Sequence, residues 1–400
     1  MPRFEPFAAL RYAPTVDLDS VVAPPYDVIG PEERAALVRR SPHNAVLVEL
    51  PADEPGEGRD RFQQAAHLMA EWRNEGVLRL DDRPCFYVYR MSFDDEAGRR
   101  RVTTGVLGAL GLATPGEGDV LPHERTMPKP KSERLDLQRA CRANLSPVWG
   151  LSMASGLSDA VRPDGPPAAR ALDEDVHHEL WVVDDPDRVA RIAEVAGSAP
   201  VVLADGHHRY ETGLAYQRER REARSDAPGD YDLIMAYVVE LAEDELSVRA
   251  IHRLITGLPE GFDLLGALGS HFDLSEGGAV EPALLSRMEQ QGSLAVVTPD
   301  GCWLARARPA TEKAAEHDLD SARLDVALAS LPAHEVTYQH GIDHVSAAVA
   351  KGEAQAGILL RPASVATIRS VAEARLRMPP KTTFFYPKPR TGFVFRPVVD

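Results

Sequence analysis

The chain has 400 residues, of which 44% are hydrophobic, and a formal net charge of −16. It can therefore bury a large core, while its acidity argues against nucleic acid as a partner. No stretch approaches the roughly eighteen apolar residues of a membrane span, and the first residues lack a signal-peptide pattern. We expect a cytoplasmic protein with no membrane partner. Its three cysteines are too widely spaced for a disulfide framework or a cysteine zinc site, and we expect them to be buried.

Helical and strand patterns alternate along the chain and predict an α+β fold. The first part predicts a helix at 59–75, strands at 85–89, 102–112, 147–153 and 180–183, a helix at 133–143 and a linker at 155–175. The strand patterns at 231–240 and 246–255 predict a hairpin. After a weakly periodic stretch at 258–330, we predict a strand at 356–360, a helix near 363–376 and a strand at 382–386.

The segment Ala204-Asp-Gly-His-His-Arg-Tyr210 lies between an apolar run, Val201–Leu203, and a helix-like stretch that begins at Glu211. A strand, a glycine turn and a helix start place backbone N–H groups where an anion is stabilised. Arg209 adds donors suited to phosphate or carboxylate, and the two histidines can carry a proton near neutral pH. A phosphate site is one interpretation. A glycine turn followed by a solvated, charged helical turn is the alternative.

Lysine is rare in this chain, with only six, and four of these lie in two short segments, 121–134 and 378–388. A compact ammonium group is often used to bind phosphate oxygens. The clustering of Lys129, Lys131, Lys381 and Lys388 supports a phosphate site, although so few residues can also cluster by chance.

The loop Ala23-Pro-Pro-Tyr-Asp27 places a carboxylate directly after two prolines. Proline restricts the backbone, so this loop can hold Asp27 in place as a catalytic base. Alternatively, Asp27 caps a helix that begins near Pro31. Three histidine–glutamate pairs, at His123, His178 and His334, lack the spacing of an HExxH zinc site. His252-Arg253 ends an apolar strand and is either a second anion contact or an ordinary strand edge.

Five motifs together resemble a bacterial and archaeal family known as domain of unknown function 1015. They are Ala23-Pro-Pro-Tyr-Asp27, His123-Glu124-x-Thr126 with Lys131 and Arg134, Ala204–Tyr210, His252-Arg253 and Met378–Lys388. The Asp-Gly-x-His-Arg element is also similar to the phosphate-binding motif of the ParB/sulfiredoxin superfamily, which includes free-serine kinases. The resemblance implies a ParB/sulfiredoxin-like nucleotide-binding core with long insertions. We predict a discontinuous core at 1–257 and an additional α+β region at 258–400.

The resemblance also implies roles for individual residues in a nucleotide-dependent kinase that acts on a small hydroxyl compound such as free serine. Asp27 and His207 are the candidate catalytic residues, and Tyr26, His123 and Glu124 the candidate substrate contacts. Asp205 and Glu211 are the candidate ligands of Mg²⁺. The candidate contacts to the phosphates of ATP or another nucleotide are Gly206, His208, Arg209, Lys131, His252, Arg253 and Lys381. We expect Asp27, His123 and Arg209 to line one pocket with Lys131, His252 or Lys381.

Differences between this sequence and members of the superfamily help to choose among the possible activities. The reactive cysteine of sulfiredoxin would fall at His207, which excludes sulfinic-acid reduction at that position. A DNA-loading clamp is disfavoured because the acidic chain shows no clear helix-turn-helix pattern. Two alternatives to a kinase stay open. One is a regulatory protein that binds nucleotide without phosphoryl transfer, and the other is a metal-dependent hydrolase.

Overall fold

The computed structural model describes residues 1–53, 60–95, 98–114, 116–124 and 132–399. The strands within these ranges are β1 Phe4–Glu5, β2 Leu10–Tyr12, β3 Leu78–Leu80, β4 Phe86–Asp94, β5 Arg100–Gly111, β6 Val120–Pro122, β7 Ala143–Asn144, β8 Val148–Ser152, β9 Ala169–Asp173, β10 Val176–Val183, β11 Val201–Asp205, β12 Leu233–Glu240, β13 Val248–Ala250, β14 His252–Thr256, β15 Phe272–Glu276, β16 Leu294–Thr298, β17 Gly301–Ala307, β18 Glu335–Gln339, β19 Ala356–Leu359, β20 Thr383–Phe385 and β21 Arg396–Pro397.

The helices within the same ranges are α1 Leu18–Val21, α2 Pro31–Arg40, α3 Val46–Glu49, α4 Arg61–Asn74, α5 Ser132–Cys141, α6 Leu157–Ala160, α7 Pro186–Ala196, α8 His207–Ala223, α9 Leu264–Leu268, α10 Pro282–Gln291, α11 Pro309–Ala314, α12 Asp320–Leu328, α13 Ile342–Ala350 and α14 Val365–Glu373. Several begin as their sequences dictate. For example, the Asp60 side chain caps α4 by accepting the Gln63 amide, and Pro31 occupies the first position of α2. The fold is α+β, as predicted.

The larger sheet of the described chain has nine strands in the order β6-β11-β8-β12-β5-β4-β10-β9, with β1 pairing on β5. It is mixed, because β11 runs parallel to β6, and β12 runs parallel to β8. Two apolar clusters cover its faces. One contains Trp149 and Tyr237 and the other contains Val148 and Val238. Neighbouring residues on each strand thus face opposite sides of the sheet, which explains the continuous apolar runs in the sequence.

A second sheet, of six strands, has the order β15-β17-β16-β19-β14-β18 and is antiparallel throughout. It has its own apolar clusters, one around Ile255 and Phe272 and one around Leu304 and Val345. The chain then returns to the first sheet, where Phe385 and Phe393 pack in the same cluster as Trp149. The division at residue 257 stays a prediction.

Two elements differ from the sequence predictions. The predicted hairpin is wrong, because β12 pairs with β5 and β8, whereas β13 pairs with β20 and β14 joins the second sheet. The stretch 155–175 is not only a linker, because it contains α6 and the edge strand β9. Local patterns locate strands, but their partners are set by distant residues.

The described residues include no helix that is both long enough and apolar enough to cross a bilayer. Cys85 and Cys302 are buried, as expected, whereas Cys141 is half-buried, and all three are free thiols.

Candidate functional site

The glycine turn lies at the carboxyl end of a strand pair. β6 and β11 are parallel neighbours, with Leu203 opposite Pro122, so His123-Glu124 and Asp205-Gly206 leave the sheet at the same edge. The pairing of β11 with β8 shifts register between Leu203 and Asp205, a bulge directly before the turn. Bulges redirect a strand and its side chains. Here the bulge precedes the point where the chain turns into α8.

Gly206 has a φ of 84° and lies at the N-cap position of α8. A Cβ atom there would lie 3.0 Å from Arg209 Nε, so glycine suits both the conformation and the space. No side chain caps this end of the 17-residue helix. The predicted strand, turn and helix are therefore confirmed, with the helix beginning at His207. This end can accept an anion, because the first N–H groups of a helix have no partner within it.

Two segments from opposite ends of the chain face this turn. Backbone hydrogen bonds join Ala23 to Thr391, and the Met378 amide donates to the His123 carbonyl. Together they form a cleft of about 250 Å³ in front of Gly206. It is lined by Tyr26, Asp27, Val28, Glu124, Ala204, Asp205, Gly206, His207, His208, Arg209, Ile251, His340, Pro380, Lys381, Thr383, Phe384, Phe385 and Lys388.

Asp205 is the centre of the cleft's charge network. Its Oδ1 lies 2.5 Å from Lys388 Nζ, and its Oδ2 accepts a hydrogen bond of 2.9 Å from Arg209 Nη2. Burial raises the pKa of Asp205, but Lys388 and Arg209 outweigh burial and lower this pKa to about 2. Asp205 is thus ionised at neutral pH. Arg209 also donates to the Pro147 carbonyl, so its guanidinium already has two partners within the protein.

Asp27 is the most accessible of the three carboxylates among the described residues of the cleft, with 35% of its side chain exposed. Lys388 Nζ lies 4.0 Å from Asp27 Oδ2, so one ammonium group stands between the two aspartates. The alternative in which Asp27 caps the following helix is wrong, because Gly30 occupies the N-cap position of α2. The carboxylate of Asp27 is consequently available to a ligand in the cleft.

Glu124 anchors the segment that carries Lys381. Its carboxylate accepts the backbone N–H groups of Lys381, Thr382 and Thr383 at 3.1, 3.2 and 2.8 Å. Burial raises the pKa of Glu124, but His123 and the Thr383 hydrogen bonds outweigh it and lower this pKa to about 2. Lys381 itself has a φ of 57° and an exposed side chain. The position of Lys381 in the cleft therefore depends on Glu124.

His123 and Glu124 are linked by hydrogen bonds to the Thr383 hydroxyl. His123 Nδ1 donates to the Leu203 carbonyl at 2.6 Å, and Nε2 lies 2.7 Å from Thr383 Oγ1. The single hydroxyl hydrogen of Thr383 goes to Glu124, 2.6 Å away, since an ionised carboxylate only accepts. His123 Nε2 also lies 3.3 Å from Glu124 Oε1, so the imidazole, the Thr383 hydroxyl and the carboxylate form one buried cluster.

The ring of His207 lies next to that of His123. Burial, followed by the charge of His123, lowers the pKa of His207 to about 3, so its ring is neutral at pH 7. The two ring centroids are 5.3 Å apart. In the described part of the chain, Nε2 of His207 and Nε2 of His208 are buried without a hydrogen-bond partner. Buried polar atoms usually have partners, so a bound ligand is a natural partner for both.

The sequence-predicted residues converge in part. Asp27, Arg209 and Lys381 line one cleft as predicted, together with Tyr26 and Glu124, but His123 is buried and reaches the cleft through Thr383. His252 lines a different cavity. Arg253 donates to the carbonyls of Ile251 and Lys381 and so supports the cleft from outside.

Two further predicted residues are Lys131 and Glu211. Lys131 lies outside the described residues. Glu211, the second predicted metal ligand, is on α8 but does not line the cleft. Within the described ranges, no group of three or more His, Cys, Asp or Glu side chains is arranged to hold a metal ion. Mg²⁺ bound with phosphates needs only one or two carboxylates, and Asp205 lines the cleft directly before the helix end.

Sequence reasoning missed the roles of Lys388, Thr383 and Phe384. Lys388 appeared in a lysine cluster but was not assigned to the site, although it contacts Asp205 and approaches Asp27. The Phe384 ring lies 4.1 Å from that of His340 and, with Tyr26, gives the cleft aromatic surfaces. The signal that could have found these residues was their place within the Met378–Lys388 motif.

The chain belongs to the family described as protein of unknown function (DUF1015), whose model matches residues 4–327. No curated protein matches the sequence.

Among solved structures, a free serine kinase in complex with AMP is similar at 12% identity and a TM-score of 0.37, over 67% of this chain and 83% of that one. SbnI with a C-terminal truncation, from Staphylococcus aureus, is 12% identical with a TM-score of 0.40, over 72% and 86%. A conserved hypothetical protein from Pyrococcus furiosus is 11% identical with a TM-score of 0.35, over 67% and 87%.

Proposed function

We propose that this protein is a nucleotide-dependent phosphotransferase that phosphorylates a hydroxyl group of a small metabolite such as free serine. The observation that carries the proposal is the cleft itself. An uncapped helix end, Lys381 and an accessible carboxylate, Asp27, share a space of about 250 Å³. Phosphoryl transfer requires these parts, namely donors for phosphate oxygens and a group that positions the attacking hydroxyl.

In this proposal the phosphates of ATP or another nucleotide lie against Gly206 and the first turn of α8. The backbone N–H groups there and the ammonium of Lys381 bind phosphate oxygens, and Nε2 of His208 gains the partner that it lacks within the described residues. The aromatic surfaces of Tyr26 and Phe384 are suited to a nucleobase. Mg²⁺ would be held by phosphate oxygens with Asp205, and it would neutralise charge on the transferred group.

Asp27 acts as the base in this proposal. Its carboxylate accepts the proton of the substrate hydroxyl while that oxygen bonds to the terminal phosphorus, and the bond from phosphorus to the bridging oxygen breaks. The nucleotide leaves with one phosphate fewer. Lys388, 4.0 Å from Asp27 and 2.5 Å from Asp205, holds the two carboxylates in position and limits their repulsion. The ParB/sulfiredoxin-like core and the division at residue 257 are part of the same proposal.

A binding-only regulatory protein is the second candidate, and the position of Lys388 favours it. An ammonium group beside Asp27 competes with a substrate hydroxyl for that carboxylate. We do not propose a metal-dependent hydrolase, because the described residues bring together no cluster of three metal-ligating side chains.

The test compares Asp27→Asn with wild type. The substitution keeps the shape of the side chain, so nucleotide affinity should stay within about twofold, while turnover falls by about 10²–10⁴-fold. Affinity is measured by calorimetry, and turnover as phosphorylated product from a panel of hydroxyl compounds with Mg²⁺-ATP, ADP or CTP. Asp82→Asn, an exposed loop aspartate, is the matched control. Equal turnover in Asp27→Asn would contradict the assigned role, and binding without product in wild type would favour the regulatory candidate.

A further inference from the structure

A buried ion pair lies behind the part of the cleft that Tyr26 lines. Glu49, at the end of α3, is fully buried, and its Oε1 accepts a hydrogen bond of 2.9 Å from Arg134 Nη2. Arg134 Nη1 donates to the backbone carbonyl of Glu49 at 2.6 Å, so one residue holds both ends of the guanidinium. Ser146 donates to the same Oε1 at 2.8 Å. These bonds fix the orientation of the guanidinium as well as its position.

Stability alone is a weak reason for a pair of this kind. Removing a carboxylate from water costs free energy, and a buried ion pair is often no more stabilising than apolar side chains of similar volume. The cost is not fully offset here, because Oε2 of Glu49 is buried without a hydrogen-bond partner among the described residues. A role for the pair therefore has to come from what Arg134 contacts.

Arg134 lies over the ring of Tyr26. Its Cζ is 4.0 Å from the centroid of that ring, a cation–π contact. Tyr26 is half-buried and lines the cleft, whereas Arg134 is not among the described residues that line it. Arg134 therefore covers the ring from the protein side and leaves the cleft side of the ring for a ligand. Through Arg134, the buried carboxylate of Glu49 holds an aromatic surface of the cleft in place.

An aromatic ring that is already held in place is a better surface for a nucleobase than a mobile one. Stacking a base on a mobile tyrosine costs the conformational entropy of that side chain, whereas a ring held by Arg134 has lost this freedom beforehand. The phosphate contacts proposed above, the N–H groups after Gly206 and the ammonium of Lys381, belong to other segments of the chain. Loss of the ion pair should therefore weaken the binding of the base and leave the binding of the phosphates nearly unchanged.

We infer that Glu49 is a positioning residue for nucleotide binding, which acts through Arg134 on Tyr26 and so determines how much the nucleobase contributes to affinity. Neither Glu49 nor Arg134 contacts the ligand in this arrangement. The inference rests on the nucleotide-binding part of the proposed function and is independent of phosphoryl transfer.

The test compares a nucleotide with a polyphosphate that has no base. Arg134→Lys and Glu49→Gln break the same contact from its two sides, so the result does not depend on a single variant folding. The probes are tripolyphosphate and whichever of Mg²⁺-ATP, ADP and CTP binds wild type most tightly, titrated by calorimetry into the full chain. We expect both variants to bind the nucleotide about three- to tenfold more weakly than wild type, and tripolyphosphate within about twofold. Arg361→Lys is the matched control, because Arg361 pairs with the buried Asp320 and does not line the cleft, and it should change neither affinity.

A double-mutant cycle separates positioning from a merely structural role. Tyr26→Leu removes the ring and should weaken nucleotide binding by about tenfold or more. Arg134→Lys should then have no further effect in the Tyr26→Leu protein, because the two changes act on one contact.

Three results would overturn the inference while leaving the proposed function in place. They are an equal loss of affinity for nucleotide and tripolyphosphate in Arg134→Lys, nucleotide binding that neither Arg134→Lys nor Glu49→Gln changes, and an effect of Arg134→Lys that persists undiminished in Tyr26→Leu. Wild type that binds none of the three nucleotides would instead overturn the proposed function, together with the inference that rests on it.

Discussion

Replacing Glu124 by Gln tests whether one buried carboxylate holds the Lys381 segment in place. Glu124 accepts three consecutive backbone N–H groups and the Thr383 hydroxyl, and 13% of its side chain is exposed. Its pKa falls from 4.5 to about 2. At roughly 1.36 kcal/mol for each pKa unit, this difference corresponds to about 3 kcal/mol of stabilisation by the ionised form. Gln keeps one oxygen acceptor, so we expect a loss of about 2–3 kcal/mol at pH 7.

The pH dependence follows from the sign of the shift. The folded-state pKa of Glu124 lies below its unfolded value, so its contribution is complete above about pH 4.5 and is lost as the pH falls towards 2. Asp205 titrates in the same range, but it is present in both proteins and cancels in the comparison. The difference in stability between wild type and Glu124→Gln should therefore be largest at pH 6–7 and should shrink below pH 4.

Two measurements check this prediction. Urea unfolding between pH 3 and 7 gives the difference in stability, and hydrogen exchange of a peptide spanning 378–388 reports on the amides that Glu124 binds. Exchange in that peptide should be about tenfold faster or more in Glu124→Gln. Glu240, which accepts the Gly156 and Ser158 amides elsewhere, provides the matched control, and Glu240→Gln should leave the peptide unchanged. A constant difference in stability across this pH range, with unchanged exchange, would refute the reasoning.

Two further predictions concern the glycine turn and its arginine. Gly206→Ala should lower stability by about 1–2 kcal/mol and weaken nucleotide binding, because its φ is 84° and Arg209 crowds the position. Gly156→Ala, with a φ of 89° and open space around it, should show the stability loss alone. Arg209→Ala should weaken nucleotide binding by about ten- to a hundredfold and lower stability by about 3 kcal/mol, because it removes a buried partner of Asp205. Arg221→Ala removes an arginine whose side chain is 43% exposed, and it should cost less in unfolding experiments than Arg209→Ala, because Gln217 and the Gly229 amide still bind Asp232.

The parts of the fold that depend on neighbouring residues could be predicted from the sequence. The strand, glycine turn and helix at 201–223 is local, since an apolar run, a residue that tolerates positive φ and a helical stretch follow each other directly. The pairing of β13 with β20 was not predictable in this way. Nothing near residue 250 indicates that its partner is residue 383, so the pattern read as a hairpin with β12 instead.

The candidate site also has features that the sequence predicts and contacts that it does not. The sequence indicated Asp27 as a candidate base and Lys381 as a candidate phosphate contact, and both residues line the cleft. The actual partners of Glu124 could not be identified, because a carboxylate beside a histidine resembles a ligand-binding pair in sequence. In the fold, its oxygens accept backbone amides of the segment Lys381–Thr383, more than 250 positions later. The role of a side chain depends on what its terminal atoms contact, and tertiary structure determines those contacts.

Arg209 shows how this changes the account of phosphate recognition. An arginine directly after a glycine turn suggests a free guanidinium, but in the folded chain Asp205 and the Pro147 carbonyl already occupy it. A phosphate that displaced Asp205 would leave that carboxylate buried beside Lys388 alone, which offsets part of the gain. A phosphate can bind the uncapped N–H groups that follow Gly206 and the exposed ammonium of Lys381 without displacing a carboxylate. These contacts therefore cost less free energy than a contact with Arg209. Arg209 then acts by fixing Asp205 and the turn, and its charge adds to the field at the helix end.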